Sequence, residues 1–162
     1  MALVKWIVIV LLFVALAGVA AGRAGLLEGR APTTLGVRDG RLAPPLNTPN
    51  SVSSQAHLHA GHRMREQADI APLPVRGNGA ATLARLRNLF AELPDARTVT
   101  STPGYLYVQF RTPVMRFVDD MEFWHDPARN VIDVRSASRL GGRDFGRNRE
   151  RIETLRQLLA TR

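Results

Sequence analysis

The chain has 162 residues, a formal net charge of +8 and no cysteine. This length allows one domain with short appendages, and the absence of cysteine excludes disulfides, thiolate metal sites and thiol nucleophiles. Of the 22 lysines and arginines only Lys5 is a lysine. Because the arginines are dispersed along the chain, they favour a solvated basic surface, and we predict no nucleic-acid partner.

An uninterrupted apolar run covers residues 6–22. Its length approaches the roughly 20 residues that cross a bilayer as a helix, and Lys5 and Trp6 at its start are typical of a membrane interface. We therefore predict an uncleaved, single-pass membrane anchor over residues 1–23. A cleavable signal peptide is the alternative, because the small residues at 17–22 offer a cleavage site.

Two opposing signals bear on the side of the membrane that the domain occupies. Arginines follow the apolar run, and the positive-inside rule would keep them, with the domain, in the cytoplasm. A very short N-terminus before an apolar run is typical of a signal anchor, however, and long domains are translocated largely regardless of their charge. We predict a bacterial inner-membrane protein whose domain lies on the periplasmic side. The arginines are Arg23, Arg30, Arg38 and Arg41.

The stretch after the anchor, residues 24–41, is rich in glycine, proline and threonine and shows no sustained period of 2 or 3.6. Such a composition predicts a flexible tether. The folded domain is then expected over residues 42–162.

Two amphipathic helices and four strands are predicted within this domain. Alternation of apolar and polar residues predicts strands over residues 97–101, 105–111, 114–124 and 131–139. One helix begins near Gly79 with an apolar stripe of Leu83, Leu86, Phe90 and Leu93, and another begins near Asp144 with Ile152, Leu155 and Leu159. This order predicts an α+β fold: an antiparallel four-stranded meander with helices packed on one face, after a single transmembrane helix.

Three carboxylates lie inside the third predicted strand. Because side chains alternate between the two faces of a strand, Asp119 shares the apolar face with Phe117 and Met121, whereas Asp120 and Glu122 lie on the other face. An unpaired buried carboxylate costs several kcal/mol, so each of the three needs fixed partners.

Two registers match the apolar faces of the third and fourth strands. With Phe123 opposite Ile132, Arg135 lies opposite Asp120, and Ser136 lies opposite Asp119. A slip of two residues places Arg135 opposite Glu122 instead. Either register predicts a structural ion pair at Arg135.

A polar pocket is expected where the strands end. The sequence favours a hydrogen-bond network that holds the loop of residues 50–55 on the sheet, with Asp119 as a structural acceptor. A small-molecule or catalytic pocket is the alternative, and its ligand cannot be read from the sequence. The candidate residues are Asn50, Ser53, Ser54, Asp119, Ser136, Ser138, Arg139 and Asn148.

Three histidines, His57, His59 and His62, lie close together in the sequence. An extended loop could wrap their imidazoles around zinc or copper. Since no neighbouring carboxylate or cysteine completes a ligand set, we predict no metal site and no cofactor.

Three segments carry a resemblance to a known family: residues 49–55, 116–123 and 135–152. They resemble the bacterial and plastid domain-of-unknown-function 1499 family, over residues 42–159. Members typically have cysteines in the proline-containing loop, at positions that correspond to Pro45 and Ser51 here, so the resemblance implies that relatives use a disulfide that this chain lacks. It implies no established reaction, substrate or cofactor.

No stock catalytic motif, such as Gly-x-Ser-x-Gly or His-Glu-x-x-His, occurs in the sequence. We therefore predict a membrane-anchored, envelope-facing domain with a binding or accessory role and no catalytic activity. One alternative is an enzyme acting on a small polar substrate, with Asp119 as general base and Ser138 or Arg139 orienting the substrate. Another is an accessory subunit of a larger membrane protein complex.

Overall fold

The computed structural model describes residues 1–161. The chain forms an N-terminal helix, a mixed segment of short elements, a helix, four longer strands and a final helix. In chain order the elements are α1 (Ala2–Arg23), β1 (Ser51–Ser53), α2 (Arg65–Ala68), β2 (Leu73–Pro74), α3 (Gly79–Ala91), β3 (Ala96–Ser101), β4 (Tyr105–Arg111), β5 (Val118–Asp126), β6 (Val131–Ser138) and α4 (Arg147–Thr161).

The sheet has six strands in the order β1-β6-β5-β4-β3, and β2 also pairs with β6. All pairings are antiparallel. The predicted α+β class, with an N-terminal apolar helix and an antiparallel sheet, is confirmed. The expected number of four strands is too small, because β1 and β2 have three and two residues and are too short to show alternation.

One hydrophobic core lies between the sheet and the helices α3 and α4. The apolar stripes predicted for both helices face it except at Leu93, which lies beyond the end of α3 and is exposed. Phe90 of α3 packs against Phe123 of β5 with ring centroids 5.6 Å apart. Burial of these stripes makes the amphipathic helices stable in this place. The core is formed by Val52, Ile70, Leu73, Leu83, Leu86, Phe90, Leu106, Val108, Met121, Phe123, Ile132, Val134, Ile152, Leu155 and Leu159.

The register of β5 and β6 is the slipped one of the two alternatives. Phe123 pairs with Val134, and Glu122 pairs with Arg135, so the expected pairs of Phe123 with Ile132 and of Asp120 with Arg135 are wrong. The reason lies in the turn. The other register would leave a two-residue turn, which needs positive φ angles that proline at position 127 does not allow.

The observed turn is longer and has its own chemistry. Asp126 pairs with Val131, its carboxylate accepts the amide of Ala128 at 2.8 Å, and Asn130 adopts φ 51°. Asparagine tolerates this left-handed conformation better than most residues. The turn residues therefore fix the register in which Glu122 of β5 pairs with Arg135 of β6.

Helix α3 begins where His125 of β5 approaches its backbone. The side chain of Asn78 accepts the amide of Ala81 at 2.8 Å and caps the helix. A Cβ atom on Gly79 would lie 2.1 Å from Cγ of His125. Only glycine therefore fits at the first residue of this helix, and it allows α3 to lie close to the sheet.

Helix α1 is long and apolar enough to cross a membrane, and its apolar side chains are exposed. Its last turns nevertheless contact the domain. A Cβ on Gly22 would lie 2.4 Å from the carbonyl oxygen of Met115, and one on Gly18 would lie 3.2 Å from the Cε of Met115. Just beyond the helix, Glu28 forms an ion pair with Arg111 at 3.2 Å. These contacts hold the end of α1 against the turn between β4 and β5.

Candidate functional site

Polar side chains gather on both faces of the sheet. On the face that carries the helices, they form what we call the helix-side cluster, which consists of Asn50, Ser136, Ser138, Asp144 and Asn148. On the opposite face, they form what we call the charged network, which consists of Tyr105, Tyr107, Asp120, Glu122, Asp133, Arg135 and Arg139. Residues 34–46, the cover segment, lie over the charged network.

Asn148 is the centre of the helix-side cluster. It is fully buried in the first turn of α4, where its Oδ1 accepts the hydroxyl of Ser136. Its Nδ2 donates to the Ser138 hydroxyl at 3.0 Å and to the Asn50 carbonyl at 3.2 Å. A buried amide satisfied on both sides fixes the orientation of the elements that it joins.

Asp144 completes this cluster as the cap of α4. Its carboxylate accepts the amides of Gly146 at 3.0 Å and Asn148 at 2.9 Å. Burial by itself would raise the pKa of Asp144, but these donors outweigh it and hold the pKa below its usual range. Asp144 was not among the predicted site residues, although an acidic residue just before a helix is a common cap signal.

The cluster holds the loop before β1 on the sheet. The amide of Ser138 donates to the Asn50 carbonyl at 3.0 Å, and Nδ2 of Asn50 donates to the Gly141 carbonyl at 2.7 Å. The structure thus brings together four of the predicted pocket residues: Asn50, Ser136, Ser138 and Asn148.

Asp119 is bound by a residue that the sequence did not suggest. It lies on the helix side and is 6% exposed, and its carboxylate accepts from Nη1 of Arg151 at 3.1 Å. The guanidinium of Arg151 lies over the ring of Phe110, 4.1 Å from its centroid. The expectation that Ser136, Ser138, Asn148 or loop amides hold Asp119 is wrong. Helix α4 places Arg151 one turn after Asn148, on the same side of the helix. This spacing in the sequence could have identified Arg151 as the partner of Asp119.

Replacement of Asp119 should affect stability without loosening the loop. We expect Asp119→Ala to lower the free energy of unfolding by roughly 2–4 kcal/mol, because it leaves the Arg151 charge half-buried and unpaired, and Asp119→Asn to cost less because it still accepts a hydrogen bond. Chemical denaturation measures both losses. Proteolysis of residues 47–55 should stay at the native rate. Full stability of both variants would contradict a structural role for Asp119.

One part of the charged network joins Glu122 to Arg135. Both are almost fully buried, and their side chains lie 3.4 Å apart. Glu122 also accepts the hydroxyl of Tyr105 and the amide of Gly36, both at 2.7 Å, while Nε of Arg135 donates to the Pro44 carbonyl at 3.2 Å. Burial, followed by the Glu122 charge, raises the pKa of Tyr105 far above its usual value. The phenol therefore remains a hydrogen-bond donor to the carboxylate.

A second part of the charged network joins Asp120 to Arg139. Arg139 donates to both carboxylate oxygens, at 2.8 and 2.7 Å, and Tyr107 donates its hydroxyl to Asp120 at 2.6 Å. The hydrogen bonds that Arg139 donates to Asp120 raise the pKa of Arg139, and burial followed by the bond to Asp120 raises the pKa of Tyr107. A bidentate pair of this kind is directional, so it fixes the position of β5 relative to the residue that follows β6. Arg139 thus lies on the face opposite to the pocket predicted for it.

The third part of the charged network is formed around Asp133. Its carboxylate accepts the Ser54 hydroxyl at 2.7 Å, the side-chain amide of Gln55 at 2.9 Å and the guanidinium of Arg129. Ser53 is also on this side, where its hydroxyl accepts the amide of Gln55. Ser53 and Ser54 are therefore separated from the helix-side cluster by the sheet itself.

The cover segment closes the charged network with backbone groups. Besides Gly36 and Pro44, the amide of Leu42 donates to Gln55 at 2.8 Å. A cavity of about 190 Å³ lies within this segment and is lined partly by Arg38 and Arg41.

The three predicted histidines, His57, His59 and His62, lie between β1 and α2. Nδ1 of His62 accepts the amide of Met64 at 3.2 Å. Burial, followed by the charge of Arg41, lowers the pKa of His59. Among residues 1–161, the structure brings no three histidine, aspartate or glutamate side chains together in an arrangement suited to a metal ion.

Comparison with known proteins identifies one family. The sequence model of a family described as "Protein of unknown function (DUF1499)" matches residues 41–159, which is most of the chain, and the resemblance seen in the sequence is thereby confirmed. No curated protein and no protein of solved structure gives a significant match.

Proposed function

The chain belongs to the DUF1499 family, and from this premise we propose that it is a membrane-anchored domain of the cell envelope with a binding or accessory role. The family description names no reaction or ligand, so the proposal is drawn from α1 and from the two polar clusters. It assigns the chain to the bacterial inner membrane, with α1 as a single-pass anchor and the domain on the periplasmic side.

The contact of α1 with the domain is the observation that carries the proposal. Gly18 and Gly22 are one turn apart and both lie against Met115, so the last turns of the helix pack on the folded domain. A signal peptide that is removed has no need of such a contact. Glycines at this spacing allow close approach to a helix in a membrane, and here they accommodate the chain's own β4–β5 turn.

The pairing of the buried charges supports a non-catalytic role. A general base must be reached by the substrate's proton, whereas Asp119 is occupied by Arg151. Asp120 and Glu122 are each held by an arginine and a tyrosine, and the cover segment also donates the Gly36 amide to Glu122. These groups act as fixed parts of the fold, which suits a domain that binds or supports another component of the envelope.

The anchor predicts that the chain keeps its N-terminus. Intact-mass measurement of protein extracted from membranes should retain residues near Met1, because a helix with no charge between Trp6 and Gly22 stays in the bilayer. As a control, Leu11→Arg combined with Phe13→Arg should move the chain out of the membrane fraction.

Thiol labelling in cells shows on which side of the membrane the domain lies. Because the chain has no cysteine, Ser101→Cys gives one thiol at the far end of the sheet, and a membrane-impermeant maleimide should label it in cells with a permeabilised outer membrane. A mature N-terminus near Arg23 in a soluble fraction contradicts the anchor. Labelling only after the inner membrane is opened contradicts the periplasmic side.

A further inference from the structure

One end of the domain exposes large apolar side chains. Beyond residue 23, the described residues include eight exposed large apolar side chains, and five of them lie at the end of the sheet where β4 finishes, β5 begins and β6 finishes. We call this region the apolar end. It comprises residues 112–117 and 139–146 together with Leu26, and its five exposed apolar residues are Leu26, Val114, Phe117, Leu140 and Phe145.

The apolar end is attached to the end of α1. Met115 contacts both Gly18 and Gly22, and a Cβ on Gly29 would lie 3.1 Å from Cγ of Leu140. Gly18 is four residues before the end of the apolar run, which corresponds to about 6 Å along the helix axis. If the run occupies the hydrocarbon layer, the side chain of Met115 already lies at that depth. The neighbouring Val114 then lies at the boundary of the hydrocarbon.

Phe145 has the most exposed side chain of this end, with 91% of its surface accessible. Its backbone has φ 54°, and Gly141 and Gly146 on either side also have positive φ. A bulky aromatic residue seldom adopts this conformation, and here it directs the ring away from the domain core. Such exposure of a phenylalanine on an isolated domain is unfavourable in water.

The charges around the apolar end are mainly basic. Arg23 ends α1, Arg116 lies in the β4–β5 turn, and Arg143 and Arg147 lie beside Phe145. The acidic residues at this end are already engaged: Asp144 accepts the amides of Gly146 and Asn148, and Glu28 pairs with Arg111. Apolar side chains bordered by arginines match the boundary between acyl chains and phosphate headgroups.

We propose that the apolar end rests in the headgroup layer of the membrane, with Phe145 and Val114 reaching the acyl boundary and the arginines bound to lipid phosphates. This inference rests on the proposed anchor and adds an orientation to it: the sheet stands with its other end, where Ser101 lies, away from the bilayer. A β4 strand of 7 residues separates the two ends by about 20 Å.

Lipid-borne quenching of fluorescence in the full chain tests this orientation. Single cysteines at Val114, Phe145, Ser101 and Leu12 are labelled with bimane, and each protein is placed in vesicles of phosphatidylethanolamine and phosphatidylglycerol that carry a nitroxide near the start of the acyl chain. Quenching at Val114 and Phe145 should be at least about threefold stronger than at Ser101, because an interfacial group lies within about 5–10 Å of the acyl boundary. Leu12, inside α1, should be quenched as well.

The outcomes separate the two proposals. Quenching at Leu12 with Val114 and Phe145 no different from Ser101 overturns the orientation and leaves the anchor standing. No quenching at Leu12 overturns both. Aqueous iodide provides a further readout. If it quenches the labels at Val114 and Phe145 in vesicles but not in native membranes, a protein partner covers these residues in the cell, and the lipid contact is overturned. Addition of Phe145→Asp to the Val114 variant should reduce the quenching at Val114, since it replaces an apolar side chain of the apolar end by a charged one.

Discussion

Replacement of Arg135 by methionine should lower the free energy of unfolding by roughly 3–5 kcal/mol, because it leaves the carboxylate of Glu122 buried without its counter-charge. Arg135 and Glu122 are 2% and 0% exposed, so water does not reach the carboxylate in the folded state. The Pro44 carbonyl loses its donor as well. Chemical denaturation of the detergent-solubilised full chain, followed by circular dichroism, measures the loss.

A double substitution shows whether the pair itself causes this loss. Glu122→Gln removes the second charge but leaves an acceptor for Tyr105 and Gly36, so Glu122→Gln with Arg135→Met should be more stable than Arg135→Met alone. Arg147→Met serves as a surface control, since Arg147 forms only an exposed pair with Glu150 and should change stability little. A loss at Arg135 no larger than at Arg147 contradicts a structural role for the charged network.

Asn148→Ala should also be strongly destabilising, by about 2–4 kcal/mol, because the hydroxyls of Ser136 and Ser138 and the carbonyl of Asn50 lose their buried partner together. It should in addition speed proteolysis of residues 47–55. This second effect distinguishes Asn148 from Asp119, which contacts α4 and not the loop.

Asn88→Ala is the matched control for Asn148. Asn88 lies exposed on α3, so removal of its amide leaves no buried group unpaired and should favour the helix slightly. Proteolysis of the loop at the native rate in Asn148→Ala, together with normal stability, would show that another contact holds residues 47–55.

The sequence predicts the faces of the sheet well because alternation is a strong local signal. Met121 and Phe123 point to the core and Asp120 and Glu122 to the other side, as their spacing indicates. Alternation cannot choose between registers that differ by two residues, because both place the same residues inward. The turn that begins at Asp126 carries that choice.

Other parts of the site depend on contacts that leave little trace in the sequence. The cover segment binds the charged network through the Gly36 amide and the Pro44 carbonyl, and backbone groups are present at every position. Arg151 is one of many arginines, and only the path of α4 across the sheet selects it for Asp119.

The cover segment has a consequence for the order of folding. Gly36 precedes Glu122 by 86 residues and Pro44 precedes Arg135 by 91, so ribosomes produce the cover long before the strands that it closes. Until β5 and β6 have paired, its amides and carbonyls remain hydrated. Closure over the arginines and carboxylates is then a late step of folding, and nascent chains that stop before β6 leave this segment open to proteases.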